Sequence, residues 1–592
     1  MTAVPPHLQR LFTPSTPMRE LTARSVMMGC LLGSMVAGIN VYFGLQTSWN
    51  ITGSLVSAIL GYTLFNLWKL HSPYSLLENN ITQTTGSAAG SVSMAIGAVN
   101  YLPALKMAGV TLTIGQIYFW AFAVSFIGIF IAIPIRKQLI LREGLRFPTA
   151  RAAAETILVM HHHQDTRAKQ KARVLIIMGI FAATYTLLAF FFPVLKHPHL
   201  IEAIGLPIIA HWGFSLLGSP MLIGGGILMG IRVTSSMLLG AIAAWGIIGP
   251  LIQAAGYTTS TIMDYSHGVV SWLVWPGIAL MLSESLTQLL LSIPHLIKSW
   301  CKSTDPLHEK FDENTKPFII GFKPWLAGLT FVSIVSCIIL QTVLNIHYTH
   351  TLLALALTSP LAMIAARATG ETDINPISTM GKVTQLSFGY AAPGQLPLNI
   401  LCAGITSASA TQCGDMMQDL KTGFLLSANP ASQFIAQLFG IVAGIIFAVP
   451  VYLLFDHAYK IGGAAMPAPA AHSWYGMGLV LTKGVSTLPL HVVPAMLTAA
   501  YIGVLLPILR RFKRLNRFVP SGIAVGIGFF IPAFYSICIF LGGLTIWIWN
   551  NRFPLNARDY GYPFAAGLIV GEGLMGIIVA ILILLGVKPL FA

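Results

Sequence analysis

Glu78-Asn79-Asn80-Ile81-Thr82-Gln83-Thr84-Thr85-Gly86-Ser87-Ala88-Ala89-Gly90-Ser91-Val92-Ser93 reads as a helix with few side chains suited to lipid, set among apolar runs suited to little else. The chain of 592 residues is 55% hydrophobic and 9% charged, against roughly 25% charged residues in an ordinary soluble domain. So few charges cannot clothe a soluble globule of this length, and the apolar runs belong in a membrane. The hydroxyls and amides of 78–93 must then face protein or water. Two readings stay open for them: a small-residue helix interface, where Gly, Ala and Ser allow close backbone approach, or a helix lining a solute path.

Outward from this stretch, apolar runs of about 18–25 residues recur, long enough to cross a ~30 Å hydrocarbon core as helices. Several are poor spans. Asn79–Leu102 and Pro397–Cys413 are rich in polar and small residues, and Met221–Gln253 is long and interrupted at Arg232. The fold expected is an all-α polytopic membrane protein of about 14–16 transmembrane helices in two repeated halves, some of the helices broken or re-entrant.

Charge sets the expected topology. The formal net charge is +15, but the basic residues form short clusters between apolar runs rather than a nucleic-acid surface: nine Lys or Arg in Arg136–Arg173, five in Lys298–Lys323 and five in Arg510–Arg517. The positive-inside rule places these clusters in the cytoplasm. Counting crossings between them returns the chain inside each time and puts both termini in the cytoplasm, as expected for a bacterial cytoplasmic (inner) membrane protein. The first 24 residues lack an apolar signal core, so the first span is read as its own insertion signal. The segments expected are 1–24, a cytoplasmic tail; 25–297, a first transmembrane repeat; 298–324, a basic cytoplasmic linker; and 325–592, a second repeat.

The repeat rests on an echo. Glu78-Asn-Asn-Ile81, Thr85-Gly86, Leu141-Arg-Glu-Gly144 and Phe147-Pro148 match Glu371-Thr-Asp-Ile374, Met380-Gly381, Leu420-Lys-Thr-Gly423 and Asn429-Pro430. Both copies begin inside, which makes them parallel repeats.

The most unusual stretch is Gly404–Gly423, where Thr406, Ser407, Ser409, Gln412, Asp415 and Asp419 lie within apolar sequence. Asp415 and Asp419 share a helix face at four-residue spacing, and carboxylates that close raise one another's proton affinity. Read blandly, the same stretch is the solvated end of an interfacial helix.

Six stretches resemble the oligopeptide transporter (OPT) family: Met416-Met-Gln-Asp-Leu-Lys-Thr-Gly423, the start at Glu78-Asn-Asn, Ile133-Pro-Ile-Arg-Lys137, Arg146-Phe-Pro-Thr-Ala150, Phe518-Val-Pro-Ser521 and Gly571-Glu-Gly573. The match spans nearly the whole chain and looks closer to the yellow-stripe-like branch, whose members carry similar Met-Gln-Asp-Phe-Lys-Thr-Gly and Pro-Leu-Arg-Lys stretches; the Lys-Ile-Pro-Pro-Arg motif of the peptide branch is absent. The resemblance implies proton-coupled symport of small peptides, peptide derivatives or metal chelates. It leaves the solute open. The rival class is a passive channel or a membrane-embedded enzyme using the same polar helices.

The residues expected to bind substrate are Glu78, Asn79, Gln83, Thr84, Thr406, Ser407, Ser409, Gln412 and Asp415. Ionisable groups inside spans are costly and therefore functional candidates, which assigns proton coupling to Glu284, Glu572 and Asp419. Arg232 and Arg367 are the candidate charge partners, although Arg367 also has an ordinary intrahelical partner in Glu371 four residues on. His161-His-His163 is read as part of a cytoplasmic loop rather than a metal site, because adjacent His residues on a helix diverge. No resident metal or cofactor is expected, and no phosphate-loop, zinc-protease or hydrolase motif occurs. The partners expected are the peptide or chelate substrate, protons and membrane lipid, with a homodimer allowed for and no nucleic acid.

Overall fold

The computed structural model describes residues 10–590 except 15, 17, 68–72, 163–165, 199–206, 259, 265–266, 303–320, 374, 464, 485, 487 and 513. Regular structure among the described residues is helical, with no sheet beyond isolated bridges at Met466. Eleven described helices are long and apolar enough to cross a membrane: Ala23–Thr47, Ile114–Arg142, Gln170–Phe191, Pro220–Ala254, Val269–Leu291, Phe322–Leu344, Tyr348–Glu371, Pro430–Ala458, Val492–Arg510, Ala533–Arg552 and Pro554–Leu584. The expected about 14–16 crossings also counted polar or short segments, which length and hydropathy alone do not pick out. Part of the apolar run 200–217 and most of the linker expected at 298–324 lie outside the described residues.

The helices that carry the argument are α1 (Ala23–Thr47), α2 (Gly53–Leu67), α3 (Leu76–Ala95), α4 (Pro148–His162), α5 (Pro220–Ala241), α6 (Val269–Lys302), α7 (Tyr348–Thr372), α8 (Ile377–Ala391), α9 (Leu396–Leu426), α10 (Pro430–Ala458), α11 (Val492–Arg510), α12 (Gly522–Phe530), α13 (Ala533–Arg552) and α14 (Pro554–Leu584). They sort into two compact units. One holds residues 1–41, 50–172 and 294–452; the other holds 42–49, 173–293 and 453–592.

In the first unit, α3 starts where Ser75 and Glu78 form a capping box, each side chain satisfying a backbone N–H at the helix start. It stops at Ala95, and Gly97 takes a left-handed φ of 78° before Asn100 caps a short helix at Tyr101–Met107. The break expected in Asn79–Leu102 is therefore present. The break expected in Pro397–Cys413 is not: α9 runs unbroken for 31 residues until Ser427 adopts a left-handed conformation. Polar side chains do not interrupt a helix whose backbone bonds are all internal, so the richness in Ser and Thr misled. The two starts of the repeat echo occupy different helix positions, Glu78 in the first turn of α3 and Glu371 at the end of α7.

One face of α3 packs by small residues. A Cβ on Gly33 of α1 would stand 2.8 Å from the Gly86 Cα, and one on Gly444 of α10 would stand 2.9 Å from the Ala89 Cα. Such contacts let helix backbones meet closely.

In the second unit, α5 packs on α13 in the same manner. A Cβ on either Gly226 or Gly542 would lie 3.0 Å from the other's Cα. The interruption expected at Arg232 falls instead at Gly230, with φ 76° and ψ 166°. The apolar run 518–549, long enough for a single span, is two helices, α12 and α13, because Ile531 is extended before Pro532.

Candidate functional site: a buried seam of amides and carboxylates

Helix α3 also packs along α9. Asn79, Asn80, Gln83 and Thr84 on α3, and Thr406, Ser407, Ser409 and Gln412 on α9, are all fully buried. At the centre stands Asp419, whose two oxygens accept from Gln83 Nε2 and Gln437 Nε2, each at 2.5 Å. Gln83 also donates to Ser54 at 2.8 Å, while Gln433 donates to the Asp419 carbonyl at 2.6 Å and to Thr84 at 3.2 Å. The hydroxyls of Ser87 and Ser91 lie against Asp419 and the half-buried Asp415, respectively. Two carboxylates one helical turn apart thus share a cradle of neutral donors, with amides rather than a cation bonded to Asp419.

Along the same helices, buried polar atoms lack hydrogen-bond partners among the described residues: Asn79 Oδ1, both ends of the Asn80 and Gln412 amides, the Ser407 and Ser409 hydroxyls, and Gln437 Oε1. A buried amide without a partner costs about 1–3 kcal/mol. Unpaired groups of this kind, spread along α3, α9 and α10, are matched to water or to a polar solute.

Other expected site residues are placed differently. Thr406 is a knot between helices, its hydroxyl bonded to Thr358 of α7 at 3.0 Å and to Thr384 of α8 at 2.9 Å. Glu78 is fully engaged: Arg24 donates to both its oxygens at 2.6 and 2.7 Å, Thr22 donates at 2.7 Å, and the Ser75 N–H completes the cap. It acts as an ion-paired helix cap. His161 lies not in a loop but on α4, with its ring centroid 4.8 Å from that of Tyr62 and its Nε2 3.3 Å from Asn79 Nδ2; His163 is outside the described residues.

The charge partners are corrected as well. Arg367 bonds Glu371 at 2.9 Å, as its spacing predicts, and also Glu143 at 2.6 Å. Arg232 donates to the Asn516 and Val519 carbonyls at 2.9 and 3.2 Å rather than to Glu284 or Glu572. The guanidinium on Glu284 belongs to Arg510 of α11, at 2.5 Å, and the Ile523 N–H of α12 also donates to this carboxylate. Glu572 accepts from the Ser219 hydroxyl and the Met221 N–H, both at 2.8 Å, so it sits at the positive N-terminal end of α5.

Sequence reasoning missed Asn80, Gln433, Gln437, His161, Arg510 and the buried amine of Lys382. Gln433, Gln437 and Arg510 gain a role only from partners on other helices.

One end of the seam carries a strap from the N-terminal tail. The Leu11 and Phe12 N–H groups donate to the Leu425 carbonyl, and Ser427 donates to the Phe12 carbonyl at 2.6 Å. Ser75 donates to the Arg19 carbonyl, and the Asn429 N–H donates to Glu20 at 2.7 Å. Burial pushes the Glu20 carboxyl up to about 7, against the opposing pull of the Asn429 hydrogen bond.

Eleven described helices fit to cross a membrane define a polytopic helical membrane protein. The model of the OPT oligopeptide transporter proteins matches residues 20–583, and the chain belongs to that family, which is a family of transporters and not of enzymes. Among its relatives is a candidate oligopeptide transporter of Saccharomyces cerevisiae, 28% identical, with 96% of this chain and 97% of that protein covered. Another, from Oryza sativa subsp. japonica, is named as a candidate metal-nicotianamine transporter and is 28% identical over 99% of this chain and 89% of its own length. A third, from Arabidopsis thaliana and named likewise, is 26% identical over 96% of this chain and 93% of its own length.

Proposed function

We propose that this chain is a proton-coupled symporter of small peptides or of metal chelates built from amino acids, such as metal-nicotianamine. The observation that carries the reading is the α3/α9 seam, where Gln83 and Gln437 amides hold Asp419, Ser91 lies against Asp415, and Asn80, Ser407, Ser409 and Gln412 are buried along the same helices with side-chain atoms unpartnered among the described residues. Amides and hydroxyls suit a zwitterionic solute of amines, carboxylates and peptide groups, because they can donate to one end and accept from the other. Carboxylates with no bonded cation are suited to trading a proton during the cycle. The names of the relatives support both solute classes.

Purified protein in liposomes with an inward proton gradient is expected to accumulate a dipeptide or ferric nicotianamine above its external concentration. Collapse of the gradient with a protonophore abolishes accumulation. Asp419→Asn keeps the planar shape of the side chain but not its titration, and should reduce gradient-driven accumulation at least tenfold while exchange without a gradient persists. Equilibration without accumulation by the wild type would identify a passive channel, and unchanged accumulation by Asp419→Asn would remove this carboxyl from coupling.

A further inference from the structure

The turn after α11 reads Arg511-Phe512-Lys513-Arg514-Leu515-Asn516-Arg517-Phe518, a three-residue period in which each arginine is followed by a large apolar side chain. The described part of the turn keeps that period in three dimensions. Leu515 N–H bonds to the Phe512 carbonyl and Phe518 N–H to the Leu515 carbonyl, both at 2.9 Å. Residues bonded at this spacing stack on one side of a tight turn. Phe512, Leu515 and Phe518 are 58%, 43% and 79% exposed, and Arg511, Arg514 and Arg517 are exposed beside them.

The turn is anchored, not loose. Arg511 donates to the Leu291 carbonyl of α6 at 2.8 Å, Arg232 holds Asn516 and Val519, and Arg510 is tied to Glu284. No Asp or Glu occurs in the sequence between Asp456 and Asp559, so the turn carries no acidic residue of its own to neutralise its arginines.

We propose that this turn binds the headgroups of anionic membrane phospholipids. An ordered element at a helix end that offers a row of large apolar side chains and a row of arginines matches the boundary between acyl chains and phosphates. The three apolar side chains enter the acyl and glycerol layer, and the guanidiniums take the phosphates in charge-assisted hydrogen bonds. The inference is independent of which solute the seam carries, since the turn belongs to the second compact unit and the seam to the first.

The test is native mass spectrometry of the purified chain with added phosphatidylglycerol or phosphatidylcholine, alongside Arg511→Gln/Arg514→Gln/Arg517→Gln and Phe512→Ser/Phe518→Ser variants. Wild type is expected to retain phosphatidylglycerol at least about fivefold more than phosphatidylcholine, the effect of roughly one arginine near an anionic surface. The arginine variant loses that preference, and the phenylalanine variant binds both lipids more weakly. Glycerol phosphate in excess should not displace the lipid, because it lacks acyl chains. Equal retention of the two lipids, an unchanged preference in the arginine variant, or displacement by glycerol phosphate overturns the proposal. Melting temperatures in detergent without lipid check that the variants fold, as all five side chains are exposed.

Discussion

Glu284 shows what a buried charge does when its partner is distant in sequence. Its side chain is fully buried, and Arg510 meets it from another helix. Removing one member of a buried pair leaves an uncompensated charge, a cost of about 3–5 kcal/mol, whereas replacing both by apolar groups is often neutral. Arg510→Met is therefore expected to lower stability by on the order of 3 kcal/mol, and Glu284→Leu in the same chain should restore most of it; denaturant unfolding of the two variants reads the coupling. If the double variant is no more stable than Arg510→Met, the pair is not the reason for the burial. The sequence made Glu284, Glu572 and Asp419 stand out because an acid in an apolar run is rare. It could not show that Glu284 is paired, that Glu572 caps α5, or that Asp419 is held by Gln83 and Gln437, since each of these facts depends on a contact between distant helices.

At the level of helices, α3 packs closely on α1 and α2 at Gly86 and on α10 at Ala89, while Gln83 bonds across to α9. A Cβ on Gly86 would come within 2.5 Å of the Ser57 Cβ, so Gly86→Ala forces α2 away from α3. Overpacking of this kind costs about 1–3 kcal/mol, and the loss should appear as a lowered melting temperature in detergent; an unchanged melt would show that α2 gives way freely. The strap offers a second expectation. Glu20 has its carboxyl raised from 4.5 to about 7 by burial, so the folded state favours the neutral form. The strap's attachment is then complete below pH 4.5 and weakens as pH rises through about 7. Exchange protection factors of Leu11, Phe12 and residues 18–22 are expected to be larger at pH 5 than at pH 8, and Glu20→Gln should flatten the difference. Protection that rises with pH would mean that the Asn429 hydrogen bond outweighs burial. None of this tail was legible, because Leu11, Phe12 and Glu20 carry no periodic signal and gain meaning only from the ends of α3 and α9.

At the scale of the molecule, contacts within the first unit bring several basic segments together. The tail residues Phe12 and Arg24 touch Ser427 and Glu78, Arg367 touches Glu143, and Thr422 donates to the Ala150 carbonyl. The tail, the Arg136–Arg151 segment and Lys421 therefore gather at one end of that unit, as expected if each is a return to one side of the membrane. From that end α8 runs away toward Tyr390, and α9, whose 31 residues span about 46 Å at 1.5 Å per residue, runs back from Leu396. Positive charge is retained on the cytoplasmic side, so the basic end should face the cytoplasm and Tyr390, 93% exposed, the opposite compartment. In a background with the six cysteines replaced, Tyr390→Cys is expected to react with an impermeant maleimide on intact cells, and Arg146→Cys only after permeabilisation. The reverse pattern would invert the orientation and with it the direction of proposed uptake, because a gradient that drives solute toward the basic end is import only if that end is inside.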